Sequence, residues 1–471
     1  MSIDLTPRWD EFAIYLPSIQ HGFAKDVRSQ RPPKNRVFPA GLKMSDLDFI
    51  NPKSKLWHYG YALYSAGQFT DLRNIDCAVT NRDERVKILG DSGGFQIGKG
   101  SFKALQHLKD CKTGAEVCDA WRYADDVRHF IVSWLETHTD YAMTIDMPLW
   151  AKLPENSHTP FHKCTTDELI ALSVENLKYI QSNRRGNTKW LNVIQGTNAK
   201  DSIKWWKAVK DFKFDGWAMA GSVGWRGIKG DKKNGIDGKM GILTLLEMLL
   251  IMRDDGAFDG GKDWIHMLGV SQPVWAVLFT AMQRGIRKHC NAKMRISYDS
   301  ASPFQLGGKY QKVARYPKFG RRMDSWSISA HIGPVNSDYS KHSTNLQFPF
   351  LSPIAEHFKL SDINVTPQAG SKAFFDTVSG HILTNHNLYV YTRSLLEANE
   401  ILAMRPSESD SAAPKQLIDS YQFIEEIFGE TNWKRSLKRE TPLLESCFKN
   451  SDKSVKNADS VFFEEDVRYL S

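Results

Sequence analysis

Short β-like runs alternate with amphipathic helical runs between about residue 85 and residue 300. Six of the β-like runs end in polar or glycine-bearing stretches: RVKILGDSGG, YAMTIDMP, WLNVIQGT, GWAMAGS, WIHMLGVS and MRISYDS. Helices are predicted between them, over 165–182, 201–212, 241–253 and 274–289. Thr165 and Glu168 make a capping-box pair at the start of the first of these helices. This alternation predicts βα units and a parallel sheet, either an open doubly wound layer or a closed (β/α)8 barrel.

Two features of the sequence favour the barrel over the open layer. No Gly-rich dinucleotide fingerprint follows the first of these strands. Polar residues suited to chemistry recur at the carboxyl ends of many strands, where barrel sites are built, whereas an open sheet would concentrate them near one switch point. We therefore expect an α/β fold of the (β/α)8 TIM-barrel class.

Polar or glycine residues close five of the predicted strands, and a barrel would direct them into one mouth. The five are Asp91, Asp146, Gln195, Gly221 and Asp299. Three carboxylates brought together cannot all stay ionised at low cost, so at least one should have a raised pKa that suits proton transfer. Two carboxylates in one pocket suit chemistry at a glycosidic bond, one as the nucleophile and the other as the proton carrier.

The same residues complement the hydrogen-bonding edge of guanine. Asp146 can accept from the N1–H and 2-amino groups, while the Gln195 amide and the backbone at Gly221 can serve O6. Phe95 adds a flat surface on which the ring can stack. His266 also ends a strand, but a lone histidine there is more typical of a hydrogen-bonded structural residue than of a catalyst, so we expect a structural role.

A mild positive charge is compatible with a polyanionic partner. The net charge is +8 and the isoelectric point is about 8.9. The segment KYQKVARYPKFGRR at 309–322 interleaves basic and aromatic residues, a pattern that suits phosphate contact and stacking of unpaired bases. Its six basic residues, the predicted nucleic-acid contacts, are Lys309, Lys312, Arg315, Lys318, Arg321 and Arg322. The glycine- and lysine-rich segment 221–241 predicts a loop on the same active face.

The remaining composition excludes several other classes of protein. The start, MSIDLTPRWDEF, has charges where a signal peptide needs an apolar stretch, and the longest apolar run, 242–252, is too short to cross a bilayer. We therefore expect a cytoplasmic protein without a membrane partner. Six scattered cysteines without a CxxC pair argue against a disulfide framework or a zinc knuckle, so most should be reduced and buried.

The motif DSGGFQ at 91–96 resembles the signature of the tRNA-guanine transglycosylases. VIQG, AMAGSVG, HMLGVSQP and YDS follow in the order of that superfamily, and LTNHNLYVYTRSLLEANEIL at 383–402 is similar to its C-terminal helix. The resemblance covers about 36–404 and implies an irregular (β/α)8 barrel there, with a basic insert around 309–380. Residues 1–35 would be an N-terminal extension, and 405–471 a linker and helical C-terminal appendage.

The resemblance also implies roles for individual residues. Asp299 would be the nucleophile and Asp91 the acid/base group. The base would be bound by Asp146, Gln195, Gly221, the Ser222 backbone near its 7-substituent, Phe95 and Leu268 on its two faces, and Gly93 and Gly94 of the DSGG turn. Base exchange would then proceed by double displacement and would need no redox cofactor.

Two departures from the family bear on the substrate and the metal. The tRNA enzymes hold zinc through a CxCxxC group and a histidine equivalent to His386, but residues 340–385 contain no cysteine. We therefore expect no metal cofactor, with apolar packing through Phe348, Phe350 and Leu351 in its place. A replacement site from His342, His357 and His381 is the alternative. ASPFQL at 301–306 stands where the tRNA enzymes carry an arginine-bearing stretch.

Both departures resemble the DpdA-type, DNA-directed branch of the superfamily, which inserts 7-deazaguanines such as preQ0 into DNA. DNA and a free preQ0-like base are therefore the expected partners, with tRNA as the alternative nucleic acid. A non-catalytic, nucleic-acid-binding partner subunit is a second alternative. A barrel glycoside hydrolase is a third, although it would need exposed tryptophans and Trp205, Trp206 and Trp217 lie in predicted helix or strand. The sequence leaves open the inserted deazaguanine and the oligomeric state.

Overall fold

The fold is built on one sheet of eight parallel strands. The computed structural model describes residues 3–29, 36–73, 76–221, 241–332, 351–363, 376–404, 408 and 412–448. The strands, β1 to β8 in chain order, are Ile14–Pro17, Tyr61–Ser65, Lys87–Asp91, Tyr141–Met143, Lys189–Ile194, Gly216–Met219, Trp264–Met267 and Arg295–Ser300. Across the sheet the order is β1-β8-β7-β6-β5-β4-β3-β2. This order is the sequential winding of a βα barrel.

The two end strands of the sheet meet, so the sheet is nearly closed. Ser18, directly after β1, forms a parallel bridge with Leu63 of β2, and the N–H of Ile19 donates to the carbonyl of Leu63 at 2.9 Å. The structure therefore has the α/β, barrel-like architecture expected from the sequence. β1 lies before residue 36, where the resemblance sets the start of the barrel.

Small and branched apolar side chains fill the interior of the barrel. Residues two apart on one strand share a face, so Ile14 and Leu16 both point inward, as do Leu191 and Val193. The same alternation on β7 places Trp264 in this interior cluster. The remaining members are Leu63, Leu89, Met143 and Ala218. The barrel is thus a packed core, and open space for a ligand must lie at a rim.

Helices cover the outside of the sheet. They are, as α1 to α14, His21–Val27, Gly94–Lys99, Gly114–Arg122, Asp125–His138, Thr166–Asn183, Ala199–Val209, Gly241–Asp254, Pro273–His289, Ser302–Phe304, Pro353–His357, Leu360–Ile363, Thr377–Ala403, Lys415–Ile427 and Trp433–Ser446. All four predicted helices are confirmed within a few residues. The capping box at Thr165 and Glu168 is formed at the start of α5, because each side chain accepts from the backbone N–H of the other.

The last two helices pack against the barrel. Arg253 at the end of α7 donates to the carbonyl of Phe428 at 2.8 Å, and the indole N–H of Trp433 donates to Asp254 at 2.8 Å. Among the described residues, no helix is long and apolar enough to cross a membrane. Four of the six cysteines are buried, in line with the prediction for most of them: Cys77, Cys118, Cys164 and Cys447.

Candidate functional site

Asp91 lies within electrostatic reach of two other carboxyl groups, Asp146 and Asp299, at the carboxyl end of the sheet. Asp91 ends β3, Asp299 lies near the end of β8, and Asp146 follows β4. Burial raises the pKa of Asp91, and the negative charge of Asp299 raises it further, against a hydrogen bond from Ser65. Burial also raises the pKa of Asp146 to about 7, with Asp91 adding to the effect. Asp91 therefore lies near both of the other carboxyl groups that end strands of the sheet.

Asp299 accepts hydrogen bonds on both carboxylate oxygens. The backbone N–H of Gly269 donates to Oδ1 at 2.8 Å, and Nε2 of His266 lies 3.2 Å from the same oxygen. The hydroxyl of Ser18 donates to Oδ2 at 2.5 Å. Only 9% of Asp299 is exposed, so these three donors replace most of the water that an aspartate would otherwise bind.

His266 belongs to a hydrogen-bonded chain inside the barrel. The indole N–H of Trp264 donates to Ser297 Oγ at 2.7 Å, and Ser297 Oγ lies 2.9 Å from Nδ1 of His266. His266 is fully buried. It is hydrogen-bonded, as expected, but its partner is the predicted nucleophile. The signal in the sequence was its alternation with Trp264, because residues two apart on β7 both face the interior.

Asp146 and Gln195 form a second polar pair next to Asp91. Nε2 of Gln195 donates to Oδ2 of Asp146, and Oε1 of Gln195 accepts from the backbone N–H of Leu149 at 2.9 Å. A Cβ atom added to Gly94 would lie 3.4 Å from Oδ1 of Asp146. The DSGG turn therefore runs directly alongside this carboxyl group.

Gly93 holds the DSGG turn against the loop after β2. Its φ of +88° is left-handed, and a Cβ atom at this position would lie 2.5 Å from Cα of Gly67. Ser92 donates from Oγ to the carbonyl of Thr144 at 3.1 Å, which ties the other side of the turn to the segment after β4. The left-handed backbone and the close approach of Gly67 both require a residue without a side chain at 93.

The other predicted base contacts lie at the same end of the sheet. Phe95 is half-buried and its ring centroid lies 5.6 Å from that of Trp150. Leu268 packs on the apolar interior of the barrel. Gly221 is exposed and has a left-handed φ of +62°. Ser222 and the rest of the glycine- and lysine-rich segment up to residue 240 lie outside the described residues, and the sandwich of a base between Phe95 and Leu268 stays a prediction.

The basic segment after β8 contributes one strand, Lys312–Arg315, to a short antiparallel pair with Ser329–Ile332. The ammonium groups of Lys309 and Lys312 lie 5.0 and 5.9 Å from the ring centroid of Tyr310. Arg322 is ion-paired with Asp324, whose Oδ2 lies 2.5 Å from Nη2. The remaining predicted phosphate contacts are exposed: Arg315, Lys318 and Arg321. Phosphate binding by Arg322 would therefore compete with an existing ion pair.

His386 occupies the place of the family's zinc ligand, but its surroundings do not fit a zinc ion. Nδ1 lies 2.9 Å from Ser352 Oγ and Nε2 lies 3.1 Å from the carbonyl oxygen of Ala314. Burial lowers the pKa of this imidazole to about 4. The described residues contain no group of three His, Cys, Asp or Glu side chains that could hold a metal ion, and the replacement site through His342, His357 and His381 stays a prediction. His342 lies outside the described residues.

A polar clamp contributes to holding this region where the structure describes it. Asn387 accepts from the N–H of Ala314 at 2.7 Å and donates to the carbonyl of Lys312 at 3.0 Å. With His386, it fixes the basic strand to α12. Leu351, one of the three residues expected to replace zinc by apolar packing, is 87% exposed and does not do so. Phe348 and Phe350 lie outside the described residues.

Comparison with known proteins adds no relative to this picture: no protein-family model matches the chain, and no curated protein matches it.

Proposed function

We propose that this chain is a base-exchange enzyme, which replaces guanine in a nucleic acid with a 7-deazaguanine through a covalent bond to Asp299. The observation that carries the proposal is the contrast between neighbouring carboxyl groups. Asp299 accepts from three donors, which complement a carboxylate. Burial and the nearby negative charge of Asp299 both raise the pKa of Asp91. One group thus suits nucleophilic attack and the other suits proton transfer.

The first displacement breaks the bond between the sugar and guanine. A carboxylate oxygen of Asp299 forms a bond to C1′ as the C1′–N9 bond breaks and its electron pair moves to the purine. The purine takes a proton from the neutral carboxyl group of Asp91 and leaves. The products of this step are a glycosyl ester on Asp299, free guanine and an ionised Asp91.

The second displacement reverses this chemistry with a different base. The incoming 7-deazaguanine gives its N9 proton to the Asp91 carboxylate as N9 forms a bond to C1′. The C1′–Asp299 ester bond breaks, and its electron pair returns to the carboxylate. Two inversions at C1′ give net retention, and both carboxyl groups regain their starting protonation states.

Base recognition would fall to Asp146 and Gln195. The ionised Asp146 can accept from N1–H and the 2-amino group of guanine. Gln195 uses one amide N–H on Asp146, so its second amide N–H can donate to O6. A base without the 2-amino group would leave an acceptor of Asp146 unpaired, which favours guanine-like bases over adenine.

The nucleic acid is proposed to be DNA. The resemblance carries this choice, because ASPFQL at 301–306 replaces the arginine-bearing stretch of the tRNA enzymes. Extruding a base from a duplex costs a few kcal/mol of stacking and pairing, and the exposed basic side chains after β8 offer phosphate contacts that can offset it. The glycoside hydrolase alternative would need exposed tryptophans, but Trp205, Trp206 and Trp217 are buried.

Incorporation of labelled base tests the proposal. The purified chain is incubated with radiolabelled guanine or preQ0 and with duplex DNA, single-stranded DNA or bulk tRNA. We expect label in DNA. Label in tRNA alone would overturn the choice of DNA, and label in neither, with adequate binding, would favour the non-catalytic partner subunit.

The isosteric Asp299→Asn variant is the matched control for the nucleophile. It keeps the shape of the side chain but removes its charge and replaces one accepting oxygen with an amide donor. We expect the native chain to form a nucleic-acid adduct that survives denaturing electrophoresis, and we expect Asp299→Asn to form none. An adduct with the variant would show that another residue attacks C1′.

A further inference from the structure

We infer that the hydrogen bonds linking Trp264, Ser297 and His266 give the two oxygens of Asp299 different roles. Oδ1 is held by the protein, and Oδ2 is left to bond to the substrate. His266 is then a positioning residue, which acts through the nucleophile and does not touch the substrate. This inference rests on the proposed function for its chemistry. Its structural part, the direction of each hydrogen bond, stands independently.

The direction of each of these hydrogen bonds follows from which groups can donate a proton and which can accept one. The indole N–H of Trp264 can only donate, so Ser297 Oγ accepts it at 2.7 Å. The hydroxyl of Ser297 has one proton, and Nδ1 of His266 at 2.9 Å is the acceptor that the described residues offer. Nδ1 therefore accepts, and the ring proton of the neutral imidazole lies on Nε2.

With its proton on Nε2, His266 donates to Oδ1 of Asp299 at 3.2 Å. The N–H of Gly269 donates to the same oxygen at 2.8 Å. A carboxylate oxygen has about two lone-pair directions in its plane, and two N–H donors therefore satisfy Oδ1. Oδ2 accepts only from the Ser18 hydroxyl among the described residues, so one of its lone pairs stays available.

This division matches the bonds that the proposed reaction makes. When Oδ2 attacks C1′, Oδ1 becomes the carbonyl oxygen of the ester and keeps both N–H bonds. Attack through Oδ1 would first require the loss of one of those bonds in a site that is almost closed to water. A neutral histidine also orients the carboxylate without cancelling its charge, which the attack requires.

The position of His266 is difficult to explain by packing alone. It is fully buried on the inward face of β7, next to the apolar interior of the barrel, and an apolar residue would fill this space without polar partners. Both of its ring nitrogens are hydrogen-bonded, one to a residue that fixes its tautomer and the other to Asp299.

Three variants separate positioning from folding. His266→Leu removes the donor to Oδ1. His266→Gln places an amide N–H near the position of Nε2 and is the conservative rescue. Ile296→Val, on β8 beside Ser297, removes one buried methylene from the adjacent strand and leaves the chain of hydrogen bonds intact. Thermal unfolding of each variant shows whether it is folded before its activity is compared.

Single-turnover adduct formation on single-stranded DNA is the kinetic readout. We expect His266→Leu to lower the rate about 10- to 100-fold, the usual effect of a hydrogen bond to a charged group. KM for DNA should change little, because His266 does not contact it. His266→Gln should recover most of the rate and Ile296→Val should keep it. Equal rates for the folded Leu and Gln variants, or no loss in either, would overturn the positioning role.

The tautomer gives a readout that needs no activity. In the native chain labelled with ¹⁵N-histidine, two-bond ¹H–¹⁵N correlation spectra should show His266 with its proton on Nε2, assigned by loss of the signal in His266→Gln. A native chain with the proton on Nδ1 would overturn the inference even if bases are exchanged. A correct tautomer without any adduct would instead reject the proposed function, and with it the assignment of Oδ2 as the attacking atom.

Discussion

Ser18 Oγ lies 2.5 Å from Oδ2 of Asp299, although 281 positions separate the two residues in the chain. Ser18 is also the residue whose bridge to Leu63 joins the two ends of the sheet. One short segment after β1 therefore closes the barrel and contacts the predicted nucleophile. Closure of the fold and orientation of Asp299 are coupled through this residue.

Replacing Ser18 with alanine should slow adduct formation by about tenfold, because Oδ2 would lose the donor that orients it. The backbone bridge to Leu63 does not involve the hydroxyl, so thermal stability should change by less than about 1 kcal/mol. Single-turnover rates and thermal unfolding measure the two effects. Ser18→Thr, which keeps a hydroxyl, is the matched control, and a native rate in Ser18→Ala would contradict the orienting role.

Burial of Asp146 should make stability depend on pH. Its pKa of about 7 in the folded chain lies well above the ordinary aspartate value of about 3.9 in the unfolded chain. The folded chain therefore binds more protons between about pH 4 and pH 7, and the free energy of unfolding falls as pH rises through this window. Asp146→Asn removes the ionisation, so we expect it to exceed the native chain in stability by on the order of 1–4 kcal/mol at pH 8.

At pH 4 the same two chains should be nearly equal in stability, because Asp146 is neutral in the folded native chain there. Chemical denaturation at both pH values measures the difference. Asp211→Asn, at an exposed position, controls for the loss of one negative charge. A stability difference that is the same at pH 4 and pH 8 would show that burial of Asp146 is not the cause.

A side chain at Gly93 should disturb the DSGG turn. Gly93→Ala must adopt a left-handed φ and would bring its Cβ to 2.5 Å from Cα of Gly67. We expect a loss of about 1–3 kcal/mol in the free energy of unfolding and a lower rate of base exchange, since Asp91 lies two residues away. Gly22→Ala, in α1 with nothing within 4 Å of the added Cβ, should be neutral or slightly stabilising. Equal unfolding curves for Gly93→Ala and Gly22→Ala would show that a side chain at position 93 causes no strain.

The strands from β3 to β8 could be predicted because a polar residue or glycine lies at or just after the end of each, and periodic helices follow β4 to β7. β1 and β2 were not predicted, because IYLP and YALYS lack the clear alternation that marks a strand. With β1 went Ser18. The carboxylates were predictable because parallel strands end at one edge of a sheet, whereas the partner of His266 depends on the register between β7 and β8, which pairs His266 with Ser297.

The polar clamp at His386 could not be predicted from the sequence either, because the partners of His386, Ser352 and Ala314, come from separate segments. It predicts that chelators leave the melting temperature unchanged. His386→Ala should lose about 2–5 kcal/mol, since two buried groups lose their partner and a cavity forms. A fall in melting temperature with EDTA, restored by zinc, would contradict this account.

Acid should weaken the same clamp. The pKa of His386 is about 4 in the folded chain and about 6.5 in an unfolded one. The stability that depends on the neutral imidazole is complete above about pH 6.5 and is lost as pH falls toward 4. The gap in unfolding free energy between the native chain and His386→Ala should therefore narrow over this range. A difference in unfolding free energy that does not depend on pH would indicate that the variant loses stability through the cavity alone.

The exposed basic residues after β8 should contribute to binding through charge. Lys318→Ala with Arg321→Ala should weaken affinity for single-stranded DNA and reduce the slope of log K against log salt concentration by about 1.4, because each removed cation leaves one phosphate without its neutralising partner. Lys213→Ala with Lys293→Ala is the matched control, because these exposed lysines precede β6 and β8 at the opposite end of the sheet. It removes the same charge but should leave the slope unchanged. Equal slopes for the two double variants would mean that net charge, and not this segment, attracts the nucleic acid.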